Sequence, residues 1–332
     1  MRCNKCIMPK VKDYVTIDSS GRCSVCNKYE DTLKVEGQNQ QPEGFGELKR
    51  KVEMLKKNHT GKYDCAVGIS GGKDSMMILH IAKKELKLNP LAIFIDNGFA
   101  LEEMSQNIES IIGKLGIDLI TYRPHEVRNL FIHLLKSKKS IYYCRLCHEL
   151  LDVYIREVAS AHGVNLLLGG YTKGQEYVKS DELFWIYDIS DKNVDEVLLQ
   201  DPQFKEIQYI SNNHAIYLYE KFESMGQVNP FQYIRYDEKG IIKFLTDEYG
   251  FKVPKKSWPA DSTNCLFNYV SQHLAVKNFG YSQHETEVST LVRKNEITRE
   301  RALEVIEAPI PMEYIEEALA KLGLKYEDIV ST

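Results

Sequence analysis

The chain has 332 residues, of which 43% are hydrophobic and 27% are charged, and its formal net charge is -4. This length allows two domains or one large domain with attachments, and no stretch approaches the ~20 apolar residues needed to span a bilayer. The acidic balance argues against a surface that wraps broadly around nucleic acid. Because the N-terminus lacks the apolar core of a signal peptide, we expect a cytoplasmic protein whose eight cysteines do not form disulfides.

Four cysteines lie near the N-terminus in two closely spaced pairs, Cys3-x-x-Cys6 and Cys23-x-x-Cys26. Two such pairs can place four thiolates tetrahedrally around one ion, and so small a segment cannot bury enough apolar surface to fold without it. We therefore predict a separate zinc-binding module over residues 1–30, with rubredoxin-like iron and free thiols as the alternatives. A linker and a helix are expected over residues 31–60.

A strand predicted over Tyr63–Ile69 runs into a Gly-rich loop and then into a predicted helix, Met76–Leu86. The loop consists of Ser70, Gly71, Gly72, Lys73, Asp74 and Ser75. Its glycines lack the Cβ atoms that would keep a backbone away from an anion, so amides and the helix N-terminus can hold phosphate. The serines add hydroxyl donors and Lys73 adds a cation. The spacing differs from the Walker loop, which serves nucleotides that lose their terminal phosphate.

This loop resembles the PP-loop of the ATP pyrophosphatase superfamily, whose members cleave ATP between its α and β phosphates. They adenylate a substrate oxygen and replace it with nitrogen or sulfur. The resemblance implies that ATP and Mg²⁺ bind here, with Lys73 and Asp74 as the catalytic residues. Lys73 and the amides of Gly71 and Gly72 would neutralise pyrophosphate, and Asp74 would orient Lys73 or bind magnesium. A Gly-rich turn without a ligand is the plain alternative.

Short apolar strands alternate with amphipathic helices over residues 61–175, which predicts an α/β domain with a doubly wound parallel sheet. Further strands are expected at Leu91–Ile95, Ile117–Tyr122 and Val164–Leu168, and helices at Leu101–Leu115, Glu126–Leu135 and Leu146–Ala161. The ligand should bind at the carboxyl ends of the strands. There Asp96 could meet ribose, adenine or magnesium, or form a turn. Gly169 and Gly170 either let the backbone approach the nucleotide or form a strand-end turn.

Residues 176–235 are predicted to be an insertion of uncertain structure, in which Phe184–Tyr187 and Ala215–Tyr219 fit either strands or buried helix faces. Residues 236–332 predict a mainly helical C-terminal region. Its helices are expected at Asp237–Tyr249, Leu266–Asn278, Glu285–Arg293, Thr298–Ile306 and Pro311–Leu322. Pro311 suits a first helical position and Gly323 suits a C-terminal cap.

A second cysteine set consists of Cys144 and Cys147, at the start of a predicted helix, and Cys265 far along the chain. Three thiolates with one open position suit a [4Fe-4S] cluster, whereas a structural zinc site requires four ligands. The set resembles that of the iron-sulfur-dependent tRNA thiolation enzymes of the PP-loop superfamily, which implies sulfur insertion. A buried apolar Cys265 and a redox pair or zinc half-site are the alternatives, and Cys65 is expected in the core.

Both ends of the chain resemble the N-acetyl sugar amidotransferases of surface-polysaccharide biosynthesis. The similar segments are Cys3-x-x-Cys6-Ile7-Met8-Pro9, Gly21-x-Cys23-x-x-Cys26, Val276–Tyr281 and Ile297–Leu303. This resemblance implies nitrogen insertion into a sugar nucleotide, with ammonia from a glutaminase partner. Cys144 and Cys147 depart from that pattern.

Three functions therefore stay open. The leading one is sulfur insertion into a small sugar- or nucleotide-like molecule, which is favoured over tRNA, with a sulfur-donor partner. Nitrogen transfer is second, and a non-catalytic ATP sensor is third. We expect a homo-oligomer without membrane contact.

Overall fold

The computed structural model describes residues 1–36, 44–56, 61–170, 183–256, 264–295 and 297–330. The strands in these ranges are β1 (Cys65–Ile69), β2 (Pro90–Ile95), β3 (Asp118–Tyr122), β4 (Leu166–Leu168) and β5 (Gly226–Val228). The helices in the first half of the chain are α1 (Ser24–Glu36), α2 (Phe45–Lys56), α3 (Lys73–His80), α4 (Glu102–Leu115), α5 (His125–Lys136) and α6 (Tyr143–Ala161). Those in the second half are α7 (Phe184–Leu198), α8 (Lys205–Phe222), α9 (Glu238–Tyr249), α10 (Phe267–Phe279), α11 (Gln283–Arg293), α12 (Arg299–Glu307), α13 (Met312–Leu322) and α14 (Tyr326–Ile329).

The five strands form one parallel sheet in the order β3-β2-β1-β4-β5. The chain runs outward from β1 to β3 and then returns to place β4 on the other side of β1. The crevice between β1 and β4 is therefore the topological switch point, where sheets of this kind bind ligands at the carboxyl ends of their strands. The predicted doubly wound α/β fold is confirmed.

Strand β1 is almost entirely buried because it is the central strand of the sheet. Gly68 leaves room for Ile155 of α6 to pack on β1, because a Cβ on Gly68 would lie 2.5 Å from Ile155 Cδ1. The short β5 was not predicted from the sequence. Its three residues include Gly226 and Gln227, and they are too few to show an alternating pattern.

Element boundaries differ from the predictions in ways that bear on the site. Helix α3 begins at Lys73, three residues before the predicted start, and continues into a π-helical turn, Ile81–Glu85. Helix α6 begins at Tyr143 rather than Leu146, which places Cys144 and Cys147 in its first two turns. The Gly-rich loop therefore leads directly into the N-terminus of α3, and Cys144 and Cys147 lie at the N-terminus of α6.

The aromatic runs whose structure was left open are helical. Phe184–Tyr187 begins α7, and Ala215–Tyr219 lies within α8. Ile186 and Tyr217 point into apolar clusters, whereas Ile216 and Tyr219 are exposed. The helical interpretation is therefore correct and the strand interpretation is wrong, but only part of the second run is buried. At the C-terminal end, Gly323 caps α13 with a φ of 74°, as predicted, whereas Pro311 is the N-cap rather than the first helical residue.

Apolar clusters cover both faces of the sheet, and a third cluster includes the four N-terminal cysteines. That third cluster also contains Ala275 and Phe279 of α10 and Val288 and Val292 of α11. The N-terminal segment therefore shares its core with the helical C-terminal region. The division of the chain into the predicted domains stays a prediction. No helix in the described ranges is long and apolar enough to cross a membrane.

Candidate functional site

The Gly-rich loop joins β1 to α3 at the switch point of the sheet. Gly71 has a φ of 80°, and a Cβ on it would lie 2.5 Å from the carbonyl oxygen of Met104 in α4. A Cβ on Gly72 would lie 2.4 Å from Asn264 Nδ2. The two glycines therefore have a packing role in addition to the predicted role in anion binding. Their missing side chains leave room for α4 on one side of the loop and for Asn264 on the other.

The two serines close the loop on itself. The amide of Ser70 donates to Ser75 Oγ at 3.2 Å, and the amide of Gly72 donates to Ser70 Oγ at 3.3 Å. Ser75 Oγ donates to the carbonyl oxygen of Gly72 at 3.1 Å. Gly72 is the N-cap of α3 and has no side chain to cap it, so the first-turn amides of this helix face the loop as donors for an anion.

Lys73 lies between two carboxylates. Its Nζ is 3.0 Å from Glu238 Oε1 and 3.4 Å from Asp74 Oδ2, and its side chain is 11% exposed. Burial lowers the pKa of Lys73, but the two carboxylates outweigh burial and the net pKa is raised. Tyr236 OH donates to Asp74 Oδ1 at 2.8 Å. Sequence reasoning missed Tyr236 and Glu238, because only the folding of α9 against α3 brings them to the loop.

Gly169 and Gly170 follow β4 and lie beside the loop, as the switch point requires. A Cβ on Gly170 would be 3.5 Å from the backbone carbon of Asp74, and one on Gly169 would be 2.3 Å from Asn229 Oδ1. Asp96 is engaged in a turn after β2. Its Oδ1 accepts from the amide of Gly98 at 2.8 Å, and its Oδ2 accepts from Arg123 Nε at 2.8 Å.

The second cysteine set converges near the end of β2. Cys265 lies in a segment that pairs antiparallel with residues 99–101, and Asn97 lies two residues after the end of β2. Asn97 Nδ2 lies 3.7 Å from Cys147 Sγ and 3.9 Å from Cys265 Sγ. Asn264, the neighbour of Cys265, donates from Nδ2 to Ser70 Oγ at 3.3 Å. The fold therefore brings Cys265 next to the Gly-rich loop, and Asn97 links Cys265 to Cys147.

In the part of the chain that the structure describes, Cys144, Cys147 and Cys265 do not form a group of the kind that could hold one metal ion. Among the described residues, the cysteines whose sulfurs all lie within 4.8 Å of one another belong to the N-terminal set alone. Thiolates of a [4Fe-4S] cluster bind different irons, so they lie farther apart than ligands of one ion. Burial raises the pKa of Cys144 to about 12 and also raises that of Cys147 and Cys265. Binding of a cationic group here would therefore displace thiol protons.

Cys144 is the first member of a chain of polar contacts that was not predicted from the sequence. Its thiol donates to Asn268 Oδ1 at 3.7 Å, and Asn268 Nδ2 donates to His284 Nε2 at 3.0 Å. His284 Nδ1 lies 3.1 Å from Glu287 Oε2. This chain of contacts spans the start of α6, α10 and α11, so no sequence spacing links its members.

The N-terminal cysteines form a closed four-sulfur site. Their sulfurs are buried, and the nearest pairs, Cys3 with Cys26 and Cys6 with Cys23, are 3.9 and 3.7 Å apart. A tetrahedral ion with bonds of ~2.3 Å requires ~3.8 Å between sulfurs. The amides of Met8, Cys23 and Cys26 donate to the sulfurs of Cys6, Cys3 and Cys23 at 3.2–3.4 Å. Gly21, just before the second cysteine pair, has a φ of 81°, which allows a tight turn there.

Two arginines of the C-terminal helices reach this site. Arg293 Nη1 lies 3.8 Å from Cys6 Sγ, and Arg299 Nε donates to the carbonyl oxygen of Cys6 at 2.9 Å. Arg299 Nη2 also donates to the carbonyl oxygen of Cys3 at 3.1 Å. The pKa of Cys6 is lowered by hydrogen bonds from the Cys23 and Cys26 thiols, with smaller contributions from the Met8 amide and Arg293. The arrangement fits a structural metal ion.

Comparison with known proteins gives two family matches. Residues 64–185 match the phosphoadenosine phosphosulfate reductase domain, and residues 263–331 match the C-terminal domain of the LPS biosynthesis protein WbpG-like family. The uncharacterized protein MJ1599 of Methanocaldococcus jannaschii is 26% identical over 330 residues, which cover 98% of this chain and 100% of that protein.

Comparison with solved structures also gives matches, two of which are described here by their similarity alone. The U34-tRNA thiolase NcsA from Methanococcus maripaludis with its [4Fe-4S] cluster has 17% identity and a TM-score of 0.37, covering 92% of this chain and 88% of that one. The NH3-dependent NAD synthetase from Campylobacter jejuni in complex with the nitrate ion has 12% identity and a TM-score of 0.29, covering 71% of this chain and 96% of that one.

The first family match begins at Asp64, just before β1, and contains the Gly-rich loop. The second begins two residues before Cys265 and contains α10 to α14. The loop between β1 and α3, the parallel sheet around it and these matches support the predicted resemblance to the PP-loop ATP pyrophosphatase superfamily, whose members use ATP.

Proposed function

We propose that this protein uses ATP to adenylate an oxygen of a small molecule and then replaces that oxygen with sulfur. The observation that carries the proposal is the contact between Asn264 Nδ2 and Ser70 Oγ, because it sets Cys265 beside the ATP-binding loop. Asn97 then links Cys265 to Cys147. A substrate activated at the loop would lie near all three cysteines.

In the first step, the acceptor oxygen attacks the α-phosphorus of ATP and the bond to the β-phosphate breaks. Pyrophosphate leaves with its charge opposed by Lys73 and by the amides at the start of α3, and a bound magnesium ion would supply further positive charge. Electrostatic stabilisation of a leaving group by preorganised donors is the main catalytic contribution expected of such a loop. Asp74, held by Tyr236, would orient Lys73 or bind the magnesium ion.

In the second step, sulfide attacks the activated carbon, the carbon–oxygen bond breaks and AMP leaves with that oxygen. Cys144, Cys147 and Cys265 would hold a [4Fe-4S] cluster, which when bound supplies an iron with an open position for sulfide. Asn97 hydrogen bonds two of these sulfurs, and Asn268 contacts the third. The N-terminal cysteines, which are closed around one tetrahedral position, would hold zinc.

The acceptor would be a small sugar- or nucleotide-like molecule, and a separate protein would donate the sulfur. The net charge of -4 supports a small acceptor over tRNA, because tRNA binding usually relies on a basic surface.

The test is anaerobic purification followed by iron, sulfide and absorption analysis. We expect a broad band near ~400 nm, as cluster-containing proteins show. Cys144→Ala, Cys147→Ala and Cys265→Ala should each lose the band and most of the iron. Cys65→Ala is the matched control, because Cys65 is a buried β1 thiol outside both sets. A colourless wild type that contains zinc alone would refute the sulfur proposal.

Nitrogen transfer to a sugar nucleotide is the second candidate, and the match of residues 263–331 to the WbpG-like family favours it. In that case the three cysteines would be structural and a glutaminase partner would supply ammonia. Turnover of an iron-free protein with ATP, ammonia and a sugar nucleotide would establish this candidate. ATP binding without pyrophosphate release on any acceptor would instead indicate the sensor.

A further inference from the structure

We infer that Glu238 is a displaceable counter-ion of Lys73, which holds the ammonium when the loop is empty and yields it to a polyphosphate. The inference rests on the ATP-binding half of the proposed function and is independent of which atom is transferred. It assigns to Glu238 the role of a positioning residue that sets nucleotide affinity.

Glu238 belongs to a segment that follows β5 and borders the nucleotide crevice. Within this segment Asn229 meets Gly169, Tyr236 donates to Asp74, and Glu238 pairs with Lys73. All three segment residues lie outside the 64–185 match. They are supplied by a part of the chain in which sequence patterns had predicted no site.

The backbone at Glu238 is held in place from both sides. Asp237 caps α9 by accepting from the amide of Gly240 at 3.1 Å. At the other end of α9, Tyr249 OH lies 2.7 Å from His80 Nδ1, and the ring of Phe244 packs 4.7 Å from the His80 ring. Helix α9 is therefore fixed along α3, and its first residue faces the first residue of α3.

The two carboxylates at Lys73 differ in their freedom to move. The Asp74 side chain is 24% exposed and accepts from Tyr236, whereas the Glu238 side chain is 53% exposed. A polyphosphate that approaches Lys73 meets the repulsion of both charges. Glu238 can rotate into solvent on its long side chain, while Asp74 stays tied to Tyr236.

Removing the charge of Glu238 should therefore tighten polyphosphate binding in two ways. It ends the competition for the ammonium, and it removes one nearby negative charge. For a half-exposed group at a few ångströms in solvent-like dielectric, these effects correspond to about a fivefold lower Kd. Because such a charge is screened by salt, the difference should shrink as ionic strength rises.

The experiment is titration calorimetry of pyrophosphate and of ATP, with and without Mg²⁺, on wild type and Glu238→Gln at two salt concentrations. Asp247→Asn is the matched control, because Asp247 lies on the same helix, pairs with Lys243 and is exposed. The expected result is tighter binding of both probes by Glu238→Gln at low salt and unchanged binding by Asp247→Asn. Circular dichroism melting checks that all three proteins are equally folded.

Equal or weaker binding by Glu238→Gln would overturn the inference, and weaker binding confined to the Mg²⁺ series would identify Glu238 as a magnesium ligand instead. Neither result depends on sulfur transfer, since no acceptor is present. Failure of the wild type to bind either probe would contradict the assignment of the loop itself, a separate outcome from failure of the counter-ion.

Discussion

At the scale of single residues, glycine and asparagine do most to define the site. Gly71 and Gly72 sit where a side chain would collide with α4 or Asn264. Asn97 and Asn264 connect the cysteines to each other and to the loop. The glycines could be recognised from the sequence because they fall in a motif. The asparagines could not, because their partners lie far away along the chain.

Gly71→Ala tests the packing demand at the loop. A positive φ costs a residue with a Cβ ~1–2 kcal/mol, and the contact with the Met104 carbonyl oxygen forces the loop to shift. We expect lower stability in chemical denaturation together with loss of pyrophosphate binding. Gly116→Ala is the control, since Gly116 has a φ of 60° and nothing within 4 Å of its Cβ position. It should lose the stability that a positive φ costs but keep pyrophosphate binding; equal binding losses would contradict this account.

At the scale of elements, the N-terminal cysteine site and the C-terminal helices depend on each other. The cysteines contribute a metal-binding geometry, and α11 and α12 contribute arginines that contact Cys6 Sγ and the carbonyl oxygens of Cys3 and Cys6. The spacing of the two cysteine pairs in the sequence predicts a metal site, but it does not predict which part of the protein packs against that site. That surface is contributed by residues almost three hundred positions later.

Arg299→Met should weaken this contact. Hydrogen bonds from a charged donor are worth ~1.5–3 kcal/mol each, so we expect a loss of about 2 kcal/mol in the free energy of unfolding. Zinc release to a chelator should also become faster. Arg301→Met on the same helix is the control, because Arg301 is exposed and pairs only with its neighbour Glu304 among the described contacts. Its effect should stay within about 0.5 kcal/mol. Identical losses of unfolding free energy in the two variants would refute the stabilising role of Arg299.

At the scale of the whole molecule, burial sets the pH range of stability. Burial lowers the pKa of His80, His214 and His273 below the ordinary value of 6.5. Burial also raises the pKa of Cys65 above its ordinary value of 9.0. The unfolded chain therefore binds more protons than the folded one near pH 6 and loses protons more readily above pH 9.

Stability should consequently fall as the pH drops below about 6.5 and fall again as it rises above about 9. Urea denaturation of the full chain across this range measures the effect. His80→Gln should reduce the slope on the acid side, since glutamine does not titrate. A free energy of unfolding that stays constant between pH 5 and pH 7 would contradict the histidine assignment.

The sequence by itself determined the fold class, the Gly-rich loop between β1 and α3 and the N-terminal four-cysteine site. Each of these is a local signal: β1 and the loop are contiguous, and the N-terminal cysteines lie within 24 positions of one another. The tertiary structure alone decided that Cys265 lies beside Ser70 through Asn264, that β5 extends the sheet, and that Glu238 faces Lys73. These depend on long-range packing, in which residues far apart in the chain meet because helices and strands bury their apolar faces together, and no sequence period records which faces meet.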